Sequence, residues 1–246
     1  MNVQYFKVKM QKTKFTIRRD WKKITGILLF ISLLLSIGFI IIKMVKTPSV
    51  ISEDAYAKVR SDYVLMLLQC ILGIIVMFIP SFVEHKLSID IPNNMEITYF
   101  IFLYCAIYLG EVRNFYYLIP YWDVILHAFS GAMLGALGFS LVCYFNDTDF
   151  FEINLSPFFI ALFAFCFALA AGVVWEIYEF LADSLIGTNM QKFIIADGTV
   201  LVGHAALKDT MKDLIVDAIS SLIITIIGYC TIKNNNKTKN RGDKLI

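Results

Sequence analysis

The chain of 246 residues is poor in charged side chains and has no paired cysteines. Charged residues make up 17% of the sequence and the formal net charge is +2, too small an excess to indicate binding to nucleic acid. The five cysteines stand singly within apolar stretches and form no Cys-x-x-Cys pair. This spacing argues against a disulfide framework and a structural zinc site. No internal repeat is evident, so the sequence predicts one domain.

Hydrophobic residues are abundant instead, at 58% of the chain, and aromatic residues make up 15%. A soluble domain is usually about 45–50% apolar, so the excess must be hidden from water. Six apolar stretches approach the ~20 residues that cross ~30 Å of hydrocarbon. They cover residues 24–42, 63–82, 95–110, 122–145, 157–182 and 209–232. We therefore predict an all-α polytopic membrane helix bundle of about six transmembrane helices.

Basic residues concentrate at the two ends of the chain. Eight Lys and Arg residues precede residue 24, and five follow residue 232. Basic residues that flank membrane spans stay predominantly on the cytoplasmic side. Residues 1–23 and 233–246 are therefore predicted to be cytoplasmic segments on either side of a single membrane domain, residues 24–232. Membrane lipids are the predicted partners, nucleic acid is not, and the oligomeric state stays open.

With both termini in the cytoplasm, the loop between the fifth and sixth spans lies outside. Within residues 193–202, Asp197-Gly198 separates two β-prone runs. An Asp-Gly pair flanked in this way is typical of a tight turn between antiparallel strands. The sequence therefore predicts a short β-hairpin in this outer loop, which could serve as a lid.

Acidic side chains and one histidine recur at the span ends that share the outer side of the membrane. Within each span they are spaced i, i+3 or i, i+4, which places them on one helix face. The residues are Glu111 after the third span, Asp123 and His127 in the fourth, Glu176, Glu179 and Asp183 in the fifth, and Asp209, Asp213 and Asp217 in the sixth. Four helices are thus expected to bring carboxylates and an imidazole to one leaflet.

The energetic cost of these acids indicates that they do not face lipid. An ionised side chain at mid-bilayer costs about 2.5–3.5 kcal/mol, so four or five would cost on the order of 10 kcal/mol. Eight carboxylates have only four basic neighbours in the sequence. These neighbours are Arg113, Lys192, Lys208 and Lys212. A divalent cation would balance the charge, and protonation of some carboxyl groups would do so too. For Asp123, Asp183 and Asp209, at span ends, simple solvation is the competing explanation.

Oxygen-rich ligands with one histidine suit Mg²⁺, Mn²⁺ or Ca²⁺, and Zn²⁺ or Fe²⁺ could also bind. We predict a divalent metal ion as the cofactor. The predicted metal ligands are Glu176, Glu179, Asp183, Asp213 and Asp217. Asp123 and His127 are the predicted catalytic residues, with Glu111 and Asp209 as further candidates.

Five motifs in order resemble the bacterial YjdF-like inner-membrane family over residues 60–232. They are Glu111, Trp122-Asp123-x-x-x-His127-x-x-Ser130-Gly131, Trp175-Glu176-Ile177-Tyr178-Glu179-Phe180-x-x-Asp183, Gly187-Thr188-Asn189-Met190-Gln191 and Asp209-Thr210-Met211-x-Asp213-Leu214-x-x-Asp217. The looser pattern of these acids is similar to the VanZ-like membrane proteins linked to glycopeptide tolerance. Asp217 and Ser220-Ser221 depart from the Asn and Gly of a VanZ-like last helix. The resemblance implies a bacterial plasma-membrane protein and carries no reaction over to this chain.

Three functions compete at this point. The first is a metal-dependent hydrolase or transferase acting on an envelope lipid or polyprenyl-linked substrate at the outer leaflet. The second is a proton- or cation-coupled transporter that uses the same acids as a relay. The absence of an inverted repeat and of helices broken at mid-membrane argues against it. The third is a non-catalytic envelope or resistance factor, in which the polar groups hold the bundle together or dock a partner.

Overall fold

A computed structural model describes residues 3–46, 60–87, 91–146, 155–195 and 197–242. Side chains are described for residues 21–46, 62–86, 91–145, 155–195 and 197–234. Six of its helices are long and apolar enough to cross a membrane. They span Trp21–Lys46, Asp62–Lys86, Asn93–Val112, Trp122–Phe145, Pro157–Ile186 and His204–Asn234. Each predicted span lies within one of these ranges. The all-helical fold and the six spans are therefore confirmed.

The chain divides into two compact units, Met1–Pro120 and Tyr121–Ile246. The N-terminal unit contains α1 (Val3–Lys46), α2 (Arg60–Val76), α3 (Ile79–Leu87), α4 (Asn93–Leu103), a π-helical segment (Tyr104–Val112) and α5 (Phe115–Leu118). The C-terminal unit contains α6 (Trp122–Asn146), α7 (Pro157–Ile186) and α8 (His204–Gly242). The predicted basic segments thus continue the first and last helices, and residues 1–2 and 243–246 of those segments lie outside the described part of the chain.

The second span is interrupted because of Pro80. Proline has no backbone N–H, so the carbonyl of Val76 four residues earlier loses its helical hydrogen bond. The Tyr99 hydroxyl of α4 donates to this carbonyl oxygen at 2.8 Å. A buried carbonyl without a donor would be costly in a membrane. Tyr99 therefore allows α2 and α3 to form one bent span.

The core of the N-terminal unit is formed where α1 packs against α2 and α4. Its buried residues include Leu29, Leu33, Cys70, Phe100 and Ile107. The π-helical segment follows α4. Directly after it, the N–H of Arg113 donates to the carbonyl of Tyr108, five residues earlier, at 2.9 Å. Extended π-helical turns are rare and are frequently found at functional sites.

In the C-terminal unit, α6, α7 and α8 all pack against one another. Small residues allow the close approach of helices in membranes. On α6, Gly131 lies against the backbone of Asp217, and Gly135 lies against Ser221. The Ser156 hydroxyl caps α7 by accepting from the N–H of Phe159 at 3.2 Å. The two glycines therefore allow α6 to approach α8 closely, and the serine satisfies a backbone N–H in the first turn of α7.

The loop after α7 turns back on itself at Asp197-Gly198, but the β-hairpin predicted there is reduced to one bridge. Gly198 has a φ of +84°, a left-handed conformation that glycine adopts without strain. The ladder is a single antiparallel bridge between Ile194 and Val200, and no strand extends beyond it in the described residues. Ala196 lies outside them. The N–H of Thr199 donates to Asp197 at 2.9 Å and thereby lowers the pKa of that exposed carboxyl group.

Candidate metal centre in the C-terminal unit

The C-terminal unit brings an imidazole and carboxylates from three helices together. Asp123 lies in the first turn of α6, and His127 follows one turn later on the same face. Glu176 comes from the second half of α7, and Asp213 lies in the first half of α8. His127, Glu176 and Asp213 are buried, whereas Asp123 is half-buried. The helix packing described above therefore places these polar groups inside the unit.

Three of these residues have the spacing of metal ligands. Asp123, His127 and Asp213 each offer one ligand atom, and these atoms all lie within 4.8 Å of one another. Nitrogen and oxygen ligands bind metals at about 2.0–2.5 Å, so two atoms on opposite sides of one ion lie about 4–5 Å apart. We name Asp123, His127 and Asp213 the metal triad. A single cation can therefore contact all members of the metal triad.

Glu176 is a fourth group at the same place. Its Oε1 atom lies 3.8 Å from Nε2 of His127, and Oδ1 of Asp123 lies 3.9 Å from the same nitrogen. Both carboxylates thus face one edge of the imidazole ring. Glu176 can complete the coordination of a cation held by the metal triad, or it can bind a water molecule beside that cation.

Buried oxygen atoms without hydrogen-bond donors surround His127. Oε1 of Glu176, Oδ1 of Asp213 and Oδ1 of Asp217 are buried, and no described residue donates a hydrogen bond to them. A buried polar atom without a partner is costly, and a buried carboxylate more so. A cation held by the metal triad would satisfy the oxygens of Glu176 and Asp213, which makes the donor set a fit for a hard divalent metal ion.

Asp217 contacts the other edge of the same ring. Its Oδ2 atom lies 3.3 Å from Nδ1 of His127. The residue is almost fully buried, with 2% of its surface exposed. The Ser221 hydroxyl, one turn further along α8, donates to the backbone carbonyl of Asp217 at 2.6 Å. Asp217 therefore lies beside Nδ1 of the imidazole, whereas Glu176 lies near Nε2.

The remaining predicted site residues of this unit have other partners. Oε1 of Glu179 accepts a hydrogen bond from the Trp175 indole at 2.9 Å. Asp209 lies at the start of α8, where Lys212 is 3.6 Å away. Neither belongs to the metal triad or to any other such group in the described residues. The roles predicted for Glu179 and Asp209 in the metal site therefore remain predictions.

Asp183 holds the loop that follows α7. Its carboxylate accepts hydrogen bonds from the Thr188 hydroxyl at 2.6 Å, the Met190 N–H at 2.6 Å and the Gln191 N–H at 2.9 Å. All three donors belong to the loop. Both oxygens of this carboxylate thus have partners in the loop. Its role as a metal ligand stays a prediction.

Glu111 belongs to the N-terminal unit, where its buried side chain lies in the π-helical segment. Its part in the site stays a prediction. The same unit contains an ion cluster around the buried acid Glu96, which the sequence analysis missed. Lys22 lies 2.5 Å from Oε1 of Glu96 and 3.9 Å from Oε2 of Glu84. The sequence contained a signal for this cluster. Glu96 lies within the third predicted span, and Lys22 and Glu84 flank the first and second spans at the ends predicted to share the same side of the membrane.

Gly172 is the second residue that sequence reasoning missed. It lies one helical turn before Glu176 on the same face of α7. A Cβ atom at this position would stand 2.5 Å from Oδ2 of Asp217, closer than real Cβ contacts come. A glycine four residues before a buried acid was the signal that could have found it.

The six spans and the buried polar site define a class: multi-pass membrane proteins with a candidate metal site inside the helix bundle. Residues 27–234 match the family described as "Predicted membrane protein (DUF2238)", and the chain belongs to this family. It is similar to an uncharacterized protein of Thermotoga maritima, with 29% identity over 153 residues, 62% of this chain and 70% of the relative. No solved structure matches the chain.

Proposed function

We propose that the protein is a metal-dependent hydrolase or transferase that acts on an envelope lipid in the bacterial plasma membrane. The metal triad carries this proposal, because its ligand atoms lie within 4.8 Å of one another in a largely buried setting. Buried carboxylates that converge in this way are expensive unless a cation or a proton joins them. We expect a divalent cation, since oxygen ligands with one imidazole suit it.

The chemistry follows from the ligand set. The metal triad would hold the ion, and a bound divalent ion polarises a carbonyl or phosphoryl oxygen or activates a water molecule. Glu176 faces the same edge of His127 as Asp123 does. Its carboxylate would accept the proton of the attacking water as a general base.

The depth of the site supports a lipid substrate. His127 lies five residues after the start of α6 at Trp122, which is about 7.5 Å of helical rise. This places the metal triad near one end of α6 rather than at its middle. Val174 and Ile177, on either side of Glu176, are 65% and 51% exposed. Lipid acyl chains can therefore lie beside α7 while a headgroup reaches the metal.

The membrane and leaflet proposed for the metal triad follow from sequence patterns. The basic ends of the chain favour cytoplasmic termini, which put the start of α6 and the end of α7 at the outer leaflet. The resemblance to the YjdF-like inner-membrane family supports the bacterial plasma membrane. An envelope lipid of the outer leaflet is thus the substrate class that both orientation and depth favour.

Metal analysis of the purified protein tests the proposal. After reconstitution with Mg²⁺, Mn²⁺ or Zn²⁺ and removal of free metal, we expect one tightly bound ion per chain. Asp213→Asn removes a ligand of the metal triad and should abolish this binding. Asp197→Asn is the matched control, because the same chemical change occurs in the exposed hairpin loop. A wild-type protein that retains no divalent metal would contradict the proposal.

The reaction is tested by incubating the metal-loaded protein with a total lipid extract and detecting new products by mass spectrometry. Products should form with the wild type and with Asp197→Asn but not with Asp213→Asn. Metal binding together with ion flux in proteoliposomes, and no lipid conversion, would instead favour the transporter hypothesis. If Glu176→Gln and Asp213→Asn both left folding and phenotype intact, the non-catalytic hypothesis would be favoured.

A further inference from the structure

The two nitrogens of His127 face different carboxylates. Nε2 is directed toward Asp123 and Glu176, at 3.9 and 3.8 Å. Nδ1 is directed toward Asp217, whose Oδ2 atom is 3.3 Å away. The two ring nitrogens point in different directions, so a metal bound on the Nε2 side is remote from Oδ2 of Asp217. The ring is thus held between a group of possible ligands and a single carboxylate.

We propose that Asp217 is a positioning residue of the metal centre and that Gly172 provides the space for its carboxylate. Asp217 accepts the Nδ1–H of His127, which leaves the lone pair of Nε2 free to bind the metal. Metal-binding histidines usually donate their second N–H to a carboxylate or a carbonyl, which fixes both the tautomer and the ring orientation. The inference rests on the metal site proposed above and changes the predicted role of Asp217 from ligand to support.

Residue 172 has to be glycine because the carboxylate of Asp217 fills the space that a side chain at position 172 would occupy. A Cβ atom on residue 172 would stand 2.5 Å from Oδ2 and 3.3 Å from Cγ of Asp217. Oδ2 is the same atom that faces Nδ1 of His127. A methyl group on α7 would therefore displace the carboxylate oxygen that orients the ring.

The backbone of Asp217 is fixed from the opposite helix. A Cβ atom on Gly131 of α6 would stand 2.9 Å from the carbonyl oxygen and 3.0 Å from Cα of Asp217. The backbone of α8 is thus pressed against α6 at Gly131, while the side chain of Asp217 extends toward Gly172 of α7. Two glycines on two helices therefore determine where this carboxylate lies.

Cobalt binding by the purified full-length protein tests the proposal, with Co²⁺ as the probe because its visible absorption reports on the ligand set. Loss of a carboxylate behind a metal-binding histidine typically weakens metal binding about 10–100-fold. Asp217→Asn should therefore raise the Co²⁺ dissociation constant by about this factor. At saturation, one ion per chain and the wild-type absorption bands should be retained, since the ligands are unchanged.

Gly172→Ala should also raise the Co²⁺ dissociation constant. The double variant Asp217→Ala/Gly172→Ala should bind no more weakly than Asp217→Ala alone, because alanine at position 217 lacks the carboxylate through which the methyl group acts. If Gly172→Ala weakened Co²⁺ binding by disturbing helix packing in general, the double variant would instead bind Co²⁺ more weakly than the single variant at position 217. Gly135→Ala is the matched control on the same packed helices: its Cβ atom would stand 3.4 Å from Ser221, an ordinary contact, and affinity should stay unchanged.

The outcomes separate this inference from the proposed function. If Asp217→Asn binds Co²⁺ as tightly as the wild type, Asp217 positions nothing, while the metal site stands. If Asp217→Asn loses the ion altogether, as Asp213→Asn is expected to, Asp217 is a ligand and the inference is wrong. If the wild type itself binds no Co²⁺, the proposed metal site fails and the inference fails with it.

Discussion

At the scale of single residues, the N-terminal unit depends on one cation for its buried charge. The side chain of Glu96 is fully buried, and Lys22 lies 2.5 Å from its Oε1 atom. The second acid of the cluster, Glu84, lies 3.9 Å from the same ammonium group and accepts the backbone N–H of Ile91 at 3.2 Å. Because α1, α3 and α4 each contribute one residue, this cluster connects three helices at one end of the unit.

Replacement of Lys22 by methionine should destabilise the N-terminal unit. The substitution retains an apolar side chain of similar length but leaves the buried carboxylate of Glu96 without its cation, at a cost of about 3 kcal/mol. Thermal unfolding in detergent would measure this as a lower midpoint. The neighbouring Lys23 is exposed, so Lys23→Met should shift the stability by no more than about 0.5 kcal/mol.

A double variant shows whether charge or packing causes the loss. Lys22→Met/Glu96→Gln removes both the cation and the carboxylate charge and should recover most of the lost stability, since the two positions form one pair. A double variant less stable than Lys22→Met would show that the Glu96 carboxylate stabilises the unit without Lys22, which would contradict the ion-pair explanation.

The convergence of Asp123, His127 and Asp213 could be predicted from the sequence, because helical periodicity fixes which side chains share a face. The roles of the other acids could not. Asp183 shares the face of Glu176 and Glu179 by spacing, yet its partners are backbone groups of a loop that folds back onto it. The return path of a loop is a tertiary property that spacing along one helix does not contain.

At the scale of elements, the loop after α7 is organised by its anchor to the helix end. Gly187 ends α7 in a left-handed conformation with φ of +70°, and Asp183 then collects three hydrogen bonds from residues 188–191. Further along, the Asn189 side chain both accepts from the N–H and donates to the carbonyl of Ile194. The hairpin loop therefore begins from a fixed base.

The Asp183→Asn variant should loosen this base. Hydrogen bonds to a charged acceptor contribute about 1.5–3 kcal/mol each, and an amide offers one neutral oxygen in place of two charged ones. A loss of about 2 kcal/mol in local stability would speed amide exchange at Met190 and Gln191 about 30-fold. Hydrogen-exchange mass spectrometry of the loop peptide measures this change.

Asp197→Asn is the control for the loop, because its exposed carboxylate accepts one backbone N–H from Thr199 and the amide oxygen of asparagine can do the same. Exchange at Met190 and Gln191 should then match the wild type. Unchanged exchange in Asp183→Asn would show that the loop is held by other contacts and that the carboxylate of Asp183 is available for a different role.

The two irregular elements show what sequence patterns omit. Pro80 could be seen inside the second apolar stretch, but its effect depends on Tyr99 of another helix, which replaces the lost donor. The π-helical segment has no sequence signal of its own. It ends where the ring of Tyr116 packs against Gly110, at a place that a Cβ atom would fill. Both features arise from packing between elements rather than from local preference.

At the scale of the whole molecule, the number of spans could be predicted because hydrocarbon leaves the backbone little choice. Every N–H and C=O group in a membrane must be satisfied within the protein, which favours helices of about 20 apolar residues. The orientation of the helices, in contrast, depends on basic residues at their ends. If both termini lie in the cytoplasm, as these basic residues predict, the tip of the hairpin loop at Asp197 lies outside the cell.

Cysteine labelling on intact cells tests this orientation, in a background whose five native cysteines are replaced by alanine. A membrane-impermeant maleimide should label Asp197→Cys in intact cells. Lys12→Cys, in the basic segment, should react only after permeabilisation, because eight Lys and Arg residues before residue 24 favour the cytoplasmic side. The opposite pattern would place the end of α7 and the metal triad at the inner leaflet. Metal binding would then be unaffected, but the substrate would have to be a lipid of the cytoplasmic leaflet.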